Sequence, residues 1–281
     1  MRIGSFGAQG QEWPGVVQGD AVRNLRAVRP DWPGSWRGIL SAGLWPQVER
    51  AAEEAPAIPL EGLRAGPPIP DPSKVVALGL NYRDHALEQK KEPPAAPLLF
   101  AKAPSCLIGA RDSIRLPDPS LEDQVDAEAE LCVVIGRGGR EIAESDALRH
   151  VLGYTIMNDV SGRRAQYGDK QWFRGKSFDT FGPCGPWIVT TDEMPTAEGL
   201  QLEADWGDRA MQRGNTRDLI FTVPFVVSYV SRMMSLSTGD LITTGTPAGV
   251  GVFRDPPVFL HRGDLVTIRL QGVGELANPV V

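Results

Sequence analysis

The 281-residue sequence is sparing with cysteine, with positive charge and with long apolar runs, and each shortage removes a class of protein. Its three cysteines, Cys106, Cys132 and Cys184, are odd in number, widely spaced and without a CxxC pair. That excludes a disulfide framework and a thiolate zinc site, and the three read as small buried hydrophobes. The 29 Lys and Arg against 35 Asp and Glu leave a formal charge of -6, so general attraction to phosphate backbones or anionic lipid is absent and nucleic acid is not an expected partner. The longest apolar stretch, residues 221–230, is interrupted by Thr222, Pro224 and Ser228 and falls far short of the roughly 20 residues that span a bilayer. No membrane partner is expected. The opening MRIGSFGAQGQEWPG lacks the apolar run of a signal peptide, so cytoplasmic residence is the expectation. Nucleotide-binding signatures are also missing. Lys170 stands where a P-loop needs its first glycine before Gly175-Lys176-Ser177, the 136–141 segment lacks the last glycine of a dinucleotide fingerprint, and no Gly-x-Ser-x-Gly elbow occurs.

What is present is a globular composition, 42% hydrophobic and 23% charged, able to bury a full-sized core. The 31 Gly and 24 Pro imply many turns between short elements. The sequence predicts a mixed, mostly β (α+β) fold. Residues 1–70 read as a small N-terminal β subdomain ending in a Pro-rich stretch, 66–72, that has the composition of a linker. Residues 71–281 read as the larger domain. Strands are predicted at 74–80, 98–101, 127–135, 153–159, 186–189, 240–243 and 264–270. Helices are predicted at 145–152, with Ser145 as N-cap, and at 221–234.

The segment VDAEAELCVVI, residues 125–135, alternates and then becomes wholly apolar, as a strand buried on both faces does. Period two puts Glu128 and Glu130 on one face, continuing with Cys132 and Val134. Two desolvated like charges must take up a proton or share a cation, and the competing reading is a solvated strand end. Asp159 closes another strand and is either a third oxygen ligand or a turn residue. Three carboxylates without Cys or His favour Mg²⁺, Mn²⁺ or Ca²⁺ over zinc. In NYRDHALE, His85 and Glu88 stand at i and i+3, so on a helical turn the carboxylate can orient the imidazole as a general base. The competing reading is an exposed polar turn. His150 and His261 lie among surface-type residues and receive no role. The loops at 171–183 and 243–251 carry Gly and hydroxyl residues able to present N–H and O–H donors to an anion, or to do no more than turn.

Taken in order, NYRDHALE, LLFAKAPS, VDAEAELCVVIGR, GYTIMNDVSGRRAQ, QWFRGKSFDTFGPCGPW and GDLITTGTPAGVG resemble the fumarylacetoacetate hydrolase family, from about residue 74 to the C-terminus. The N-terminal region resembles the small leading domain of its bacterial members. The resemblance implies a β-roll, a homodimer and a divalent ion in a central cavity. Glu128, Glu130 and Asp159 would hold the ion. His85 and Glu88 would be a water-activating dyad on a lid. Lys176 and Thr246, in the loop with Gly245, would contact the substrate carboxylate or a developing oxyanion, with Arg163 and Gln166 contributing. Arg164 departs from the acid many relatives carry there, which touches local substrate contacts and not the ion. The implied activity is Mg²⁺- or Mn²⁺-dependent hydrolysis of a C–C bond in a β-diketo acid of acylpyruvate, fumarylpyruvate or diketo-deoxy sugar acid type. The alternatives are oxaloacetate decarboxylation, isomerisation or decarboxylation of a hydroxymuconate-type acid, and, from another class, a non-catalytic metal-stabilised ligand-binding protein.

Overall fold

A computed structural model describes residues 1–281. One large sheet runs, in spatial order, β4 (Ala57–Pro59), β3 (Ala21–Asn24), β2 (Trp13–Gln18), β1 (Arg2–Phe6), β12 (Gly182–Thr190), β10 (Val151–Asn158), β9 (Ala129–Ile135), β15 (Leu241–Thr243), β5 (Val75–Gly79) and β6 (Leu98–Lys102). The two-residue β7 (Leu107–Ile108) lies alongside β12. A second, antiparallel sheet is ordered β14 (Arg209–Asn215), β13 (Gln201–Trp206), β16 (Leu265–Leu270), β17 (Gly274–Pro279). A short ribbon pairs β8 (Val125–Asp126) with β11 (Ser161–Gly162).

β9 shows why the fold closes as it does. All seven of its residues are buried, and its alternation feeds two different cores. Leu131, Val133 and Ile135 pack with Leu202, Ala204, Val266 and Ile268 of the second sheet. Cys132 and Val134 pack on the opposite face with Trp36 and Ile39 of α2 (Trp36–Ser41) and Val48 and Ala51 of α3 (Val48–Glu54). Each such aliphatic side chain contributes about 1.5–3 kcal/mol of burial, so this strand is held from both sides. The three short helices, α1 (Leu25–Val28) with α2 and α3, thus cover one face of the large sheet, and pairing of β1 with β12 carries the strands of residues 1–70 into it. In α7 (Val223–Met233), Val223, Val226, Val227 and Val230 form the i, i+3, i+4, i+7 stripe that enters the main core.

Three local expectations need correction. The 66–72 stretch is no free linker: Gly66 to Ile69 are buried, Ser5 Oγ donates to Pro68 O at 2.8 Å, and the Gly66 N–H donates to Ser5 O at 2.8 Å. Residues 145–152 are not an α-helix with a Ser145 cap. Glu144–His150 form a 3₁₀ helix without a side-chain cap, and Val151 and Leu152 belong to β10, where Val151 pairs with Ile135. The predicted strand at 127–135 is interrupted after β8, so Ala127 and Glu128 lie between two strands that pair with different partners. Strands β13, β14 and β17 had no sequence expectation.

Candidate active site

The interruption before β9 builds the site. The Glu128 N–H donates to Asn158 Oδ1 at 3.1 Å, and its carbonyl accepts the Asp159 N–H at 2.9 Å. These two bonds clamp Glu128 to the end of β10. Glu130 follows in β9, and its Oε2 accepts the Gly245 N–H at 2.7 Å and the Thr243 hydroxyl. Glu128, Glu130 and Asp159 are all buried, with ligand oxygens within 4.8 Å of one another.

Cations face them. Lys176 ends α6 (Phe173–Lys176), and its Nζ donates to Glu128 Oε2 at 2.7 Å and Asp159 Oδ2 at 2.6 Å. It reaches that place because α6 packs closely on α5 (Arg163–Asp169). A Cβ on Gly175 would stand 2.7 Å from both Gln166 N and Gly162 O, so only glycine fits. Arg163 Nη2 lies 2.7 Å from Glu128 Oε1 and 2.6 Å from Asp126 Oδ2, and its Nη1 donates to Gln166 Oε1 at 3.0 Å. Lys102, fully buried at the end of β6, donates to Asp159 Oδ1 at 2.7 Å and to the Lys176 carbonyl.

Four acids, Asp126, Glu128, Glu130 and Asp159, therefore meet three bases, Lys102, Arg163 and Lys176. Burial opposes ionisation of Glu128, but Lys176 and Arg163 outweigh it and hold the carboxyl far below the usual range. Glu130 goes the other way: burial, then the neighbouring Asp159 and Glu128, push it well above that range. For Lys176 the penalty of burial is outweighed by Asp159 and Glu128, and its pKa is raised. The expectation that the desolvated acids take up a proton or share a cation is met in part within the chain, which supplies Lys102, Arg163 and Lys176 and pushes Glu130 toward protonation.

The dyad sits on α4 (Arg83–Glu88), and His85 is buried. His85 Nδ1 lies 2.9 Å from Glu88 Oε2, and Glu88 Oε1 accepts the Gly249 N–H at 2.9 Å. The carboxylate fixes the proton on Nδ1 and leaves the Nε2 lone pair as acceptor. Asn81 locks the start of this helix, accepting the Phe221 N–H at 2.7 Å and donating to Thr244 O at 2.8 Å. Phe253 packs against the imidazole with ring centroids 5.8 Å apart, on a turn whose Gly251 and Val252 N–H groups are held by Asp126. Together these groups line a cavity of about 50 Å³, which His85, Glu128, Glu130, Arg163, Gln166 and Lys176 share with Thr246 and a Phe100–Trp172 rim.

Glu128, Glu130, Asp159, His85, Glu88, Lys176, Arg163 and Gln166 are thus brought together around one space. Gly245 and Thr246 are adjacent but engaged. Gly245, at φ +90, gives its N–H to Glu130, and the Thr246 hydroxyl donates to Ala129 O at 2.9 Å while accepting from Gln212 at 2.7 Å. Arg164 points away, bonding Asp123 and the Ser120 and Pro119 carbonyls at the surface. His150 and His261 are remote from the cavity lining. Sequence reasoning missed Asp126 and Lys102, although both stood in the motifs. Asp126 shares the parity of Glu128 and Glu130, and Lys102 closes an otherwise apolar strand.

The donor set fits a divalent cation. It is all oxygen, it converges, and Glu130 has no cationic partner at hydrogen-bond distance, with one oxygen free of hydrogen bonds. A buried carboxylate cluster beside a carboxylate-oriented imidazole on a short helix is the arrangement of an enzyme site. Residues 74–281 match the family described as Fumarylacetoacetate (FAA) hydrolase C-terminal. The chain belongs to the fumarylacetoacetate hydrolase family. It is 41% identical over 268 residues, covering 94% of this chain and 85% of the relative, to Oxaloacetate tautomerase FAHD2A, mitochondrial, of Bos taurus. Among solved structures it is similar to the fumarylacetoacetate hydrolase of Exiguobacterium antarcticum, with TM-score 0.87 and 35% identity over 100% of this chain and 99% of that one. It is also similar to the maleylpyruvate hydrolase of Sphingobium sp. SYK-6 in complex with manganese(II) ion and pyruvate, with TM-score 0.82, 31% identity and the same coverage. The β-rich α+β architecture is that of the family, and no helix is long and apolar enough to cross a membrane.

Proposed function

We propose that this enzyme interconverts the keto and enol forms of a compact 2-oxo acid, with His85 as the base. A divalent cation held by Glu128, Glu130 and Asp159, Mg²⁺ or Mn²⁺ by the hardness of the donors, would bind the carboxylate and 2-oxo oxygens of such an acid and stabilise negative charge as C3 loses a proton. His85 Nε2 takes that proton while Glu88 stabilises the resulting imidazolium. The C3–H electron pair moves into the C2–C3 bond, the carbonyl pair moves onto the 2-oxo oxygen, and the imidazolium, whose proton exchanges with solvent, returns a proton to that oxygen or to C3. Arg163 and Gln166 orient the substrate carboxylate from the opposite wall.

The observation that carries this reading over C–C hydrolysis is the engagement of the Gly245 N–H and the Thr246 hydroxyl. Hydrolysis needs donors for a second, tetrahedral oxyanion; the Gly245 N–H and the Thr246 hydroxyl are already given to Glu130 and Ala129, and the Lys176 ammonium to Glu128 and Asp159. Enolisation asks only for a base and stabilisation of one oxygen. The name of the bovine relative supports the same choice. The test is to follow the ultraviolet absorbance of enol-oxaloacetate with Mg²⁺ or Mn²⁺, beside pyruvate release from acylpyruvates. Tautomerisation is expected to dominate and to be lost in His85→Ala while metal binding persists. Faster pyruvate release than tautomerisation overturns the reading in favour of a hydrolase, and full activity after chelation overturns both.

A further inference from the structure

Beyond the dyad, the lid carries a second set of contacts that the reaction as described does not use. Gln89, the residue after α4, places Nε2 2.8 Å from His85 Nε2, and Lys91 Nζ donates to Gln89 Oε1 at 2.8 Å. Lys91 can only donate, so it fixes the amide with its oxygen toward the ammonium and its N–H toward the imidazole. The Nε2 lone pair of His85, the one the reaction requires, is therefore occupied by Gln89.

The backbone is shaped to present this pair. Lys90 sits at φ +55, a left-handed conformation that disfavours a non-glycine residue. The Lys90 N–H donates to Leu87 O and the Lys91 N–H to Ala86 O, both at 2.9 Å, which folds the chain back after the helix. Both Gln89 and Lys91 consequently line the cavity. The other basic side chains there, Arg163 and Lys176, are each bound to carboxylates, whereas Lys91 pairs with no acid. An exposed ammonium whose partner is a neutral amide is available to any carboxylate at the cavity mouth, because a charge-assisted bond is roughly twice as strong as a neutral one.

We propose that Lys91 binds the distal carboxylate of a dicarboxylic 2-oxo acid and, in turning to it, draws Gln89 off His85 Nε2 so that the base is freed by the substrate it serves. Lys91 is then a specificity residue and Gln89 a positioning residue acting through His85. A monocarboxylic 2-oxo acid of the same length leaves the Lys91–Gln89–His85 chain closed and sees a base free for only a fraction of the time. The inference rests on the reading of His85 as base in the preceding section.

The test follows C3 hydrogen–deuterium exchange by NMR in the Mg²⁺-loaded full chain, with oxaloacetate and with 2-oxobutanoate, non-enzymatic exchange subtracted. Wild-type protein is expected to favour oxaloacetate in kcat/KM by tenfold or more. Lys91→Met is expected to collapse that ratio about tenfold, through kcat as well as KM, and Lys91→Arg to restore it. Gln89→Ala is expected to raise kcat for 2-oxobutanoate, a change that loss of a merely structural contact does not produce. An unchanged ratio in Lys91→Met, or an equal fall with both substrates, overturns the inference. If His85→Ala exchanges both acids at the wild-type rate, the reading of the base fails first.

Discussion

Lys176 holds oxygens that a dication at the proposed site would also need, and replacing Lys176 by Met separates the two. The ammonium is buried and bound to both Glu128 and Asp159. Removing one partner of a buried, hydrogen-bonded charge cluster costs about 3–5 kcal/mol. At about 2–3 °C per kcal/mol for a chain of this size, the metal-free variant is expected to melt about 6–15 °C below wild type. With metal the gap is expected to narrow by about 1.4 kcal/mol without closing. Wild-type protein sets four acids against three bases, and the variant leaves four against two, so the cation should bind the variant about tenfold more tightly or better. At a metal concentration of 100 Kd for wild type, linkage stabilises wild type by about 2.7 kcal/mol and a tenfold tighter variant by about 4.1 kcal/mol. Thermal unfolding with chelator and with Mg²⁺, joined to calorimetric titration, reads both terms. Equal melting of the two metal-free proteins, or weaker metal binding by Lys176→Met, refutes the electrostatic account of the site.

Gly175→Ala places a methyl group 2.7 Å from two backbone atoms, and a cost of about 1–3 kcal/mol with loss of turnover as Lys176 shifts is expected by denaturant titration and assay; unaltered activity sinks the packing argument. Glu88→Gln removes the charge that fixes the Nδ1 proton of His85, so kcat is expected to fall about 10²-fold or more with metal affinity retained, and a comparable fall in metal affinity contradicts it. Glu130, raised above the usual carboxylate range, must lose its proton when a dication arrives, so affinity should rise with pH from that range upward to Glu130's own pKa. In the metal-free protein the same group acts oppositely: its stabilisation is complete below the unfolded pKa and is lost as pH rises through the raised folded one. Titration calorimetry in two buffers of different ionisation heat should reveal the released proton, and buffer-independent heats contradict it.

Glu128 and Glu130 were legible because a charged residue inside an apolar strand pattern has few explanations, and they share one parity; Asp126, of the same parity, was passed over. What the pattern hid was the break at Ala127–Glu128. Period-two reasoning assumes one partner throughout, whereas this stretch pairs first with Ser161–Gly162 and then with β10. Residues 145–152 show the same limit, since Val151 and Leu152 are claimed by the sheet through a pairing that local propensity does not contain. Strand β13 alternates strictly in QLEADW and could have been read, whereas β14 (RAMQRGN) and β17 (GELANP) carry no clean alternation. Gln89 was invisible for a different reason: a glutamine after a helix is unremarkable until the amide meets an imidazole nitrogen.

Within one fold, the direction of a few donors decides between reactions. The three acids proposed to hold a cation and the His85–Glu88 pair would serve any chemistry that passes through a 2-oxo acid enolate, so they cannot by themselves separate a tautomerase from a hydrolase. In the proposed reading the distinction rests on Gly245 and Thr246. Gly245 holds φ +90 with a Cβ excluded by Asn81 at 2.9 Å, so its N–H is fixed in direction by the backbone and not by a rotamer. It aims at Glu130, an acid that burial drives toward protonation, and that bond stabilises the ionised form a dication needs. An N–H committed to assembling the cation site is withdrawn from stabilising a second oxyanion. Under the proposed tautomerase reading, hydrolysis that used this N–H would first require that bond to break, at the expense of the carboxylate it supports.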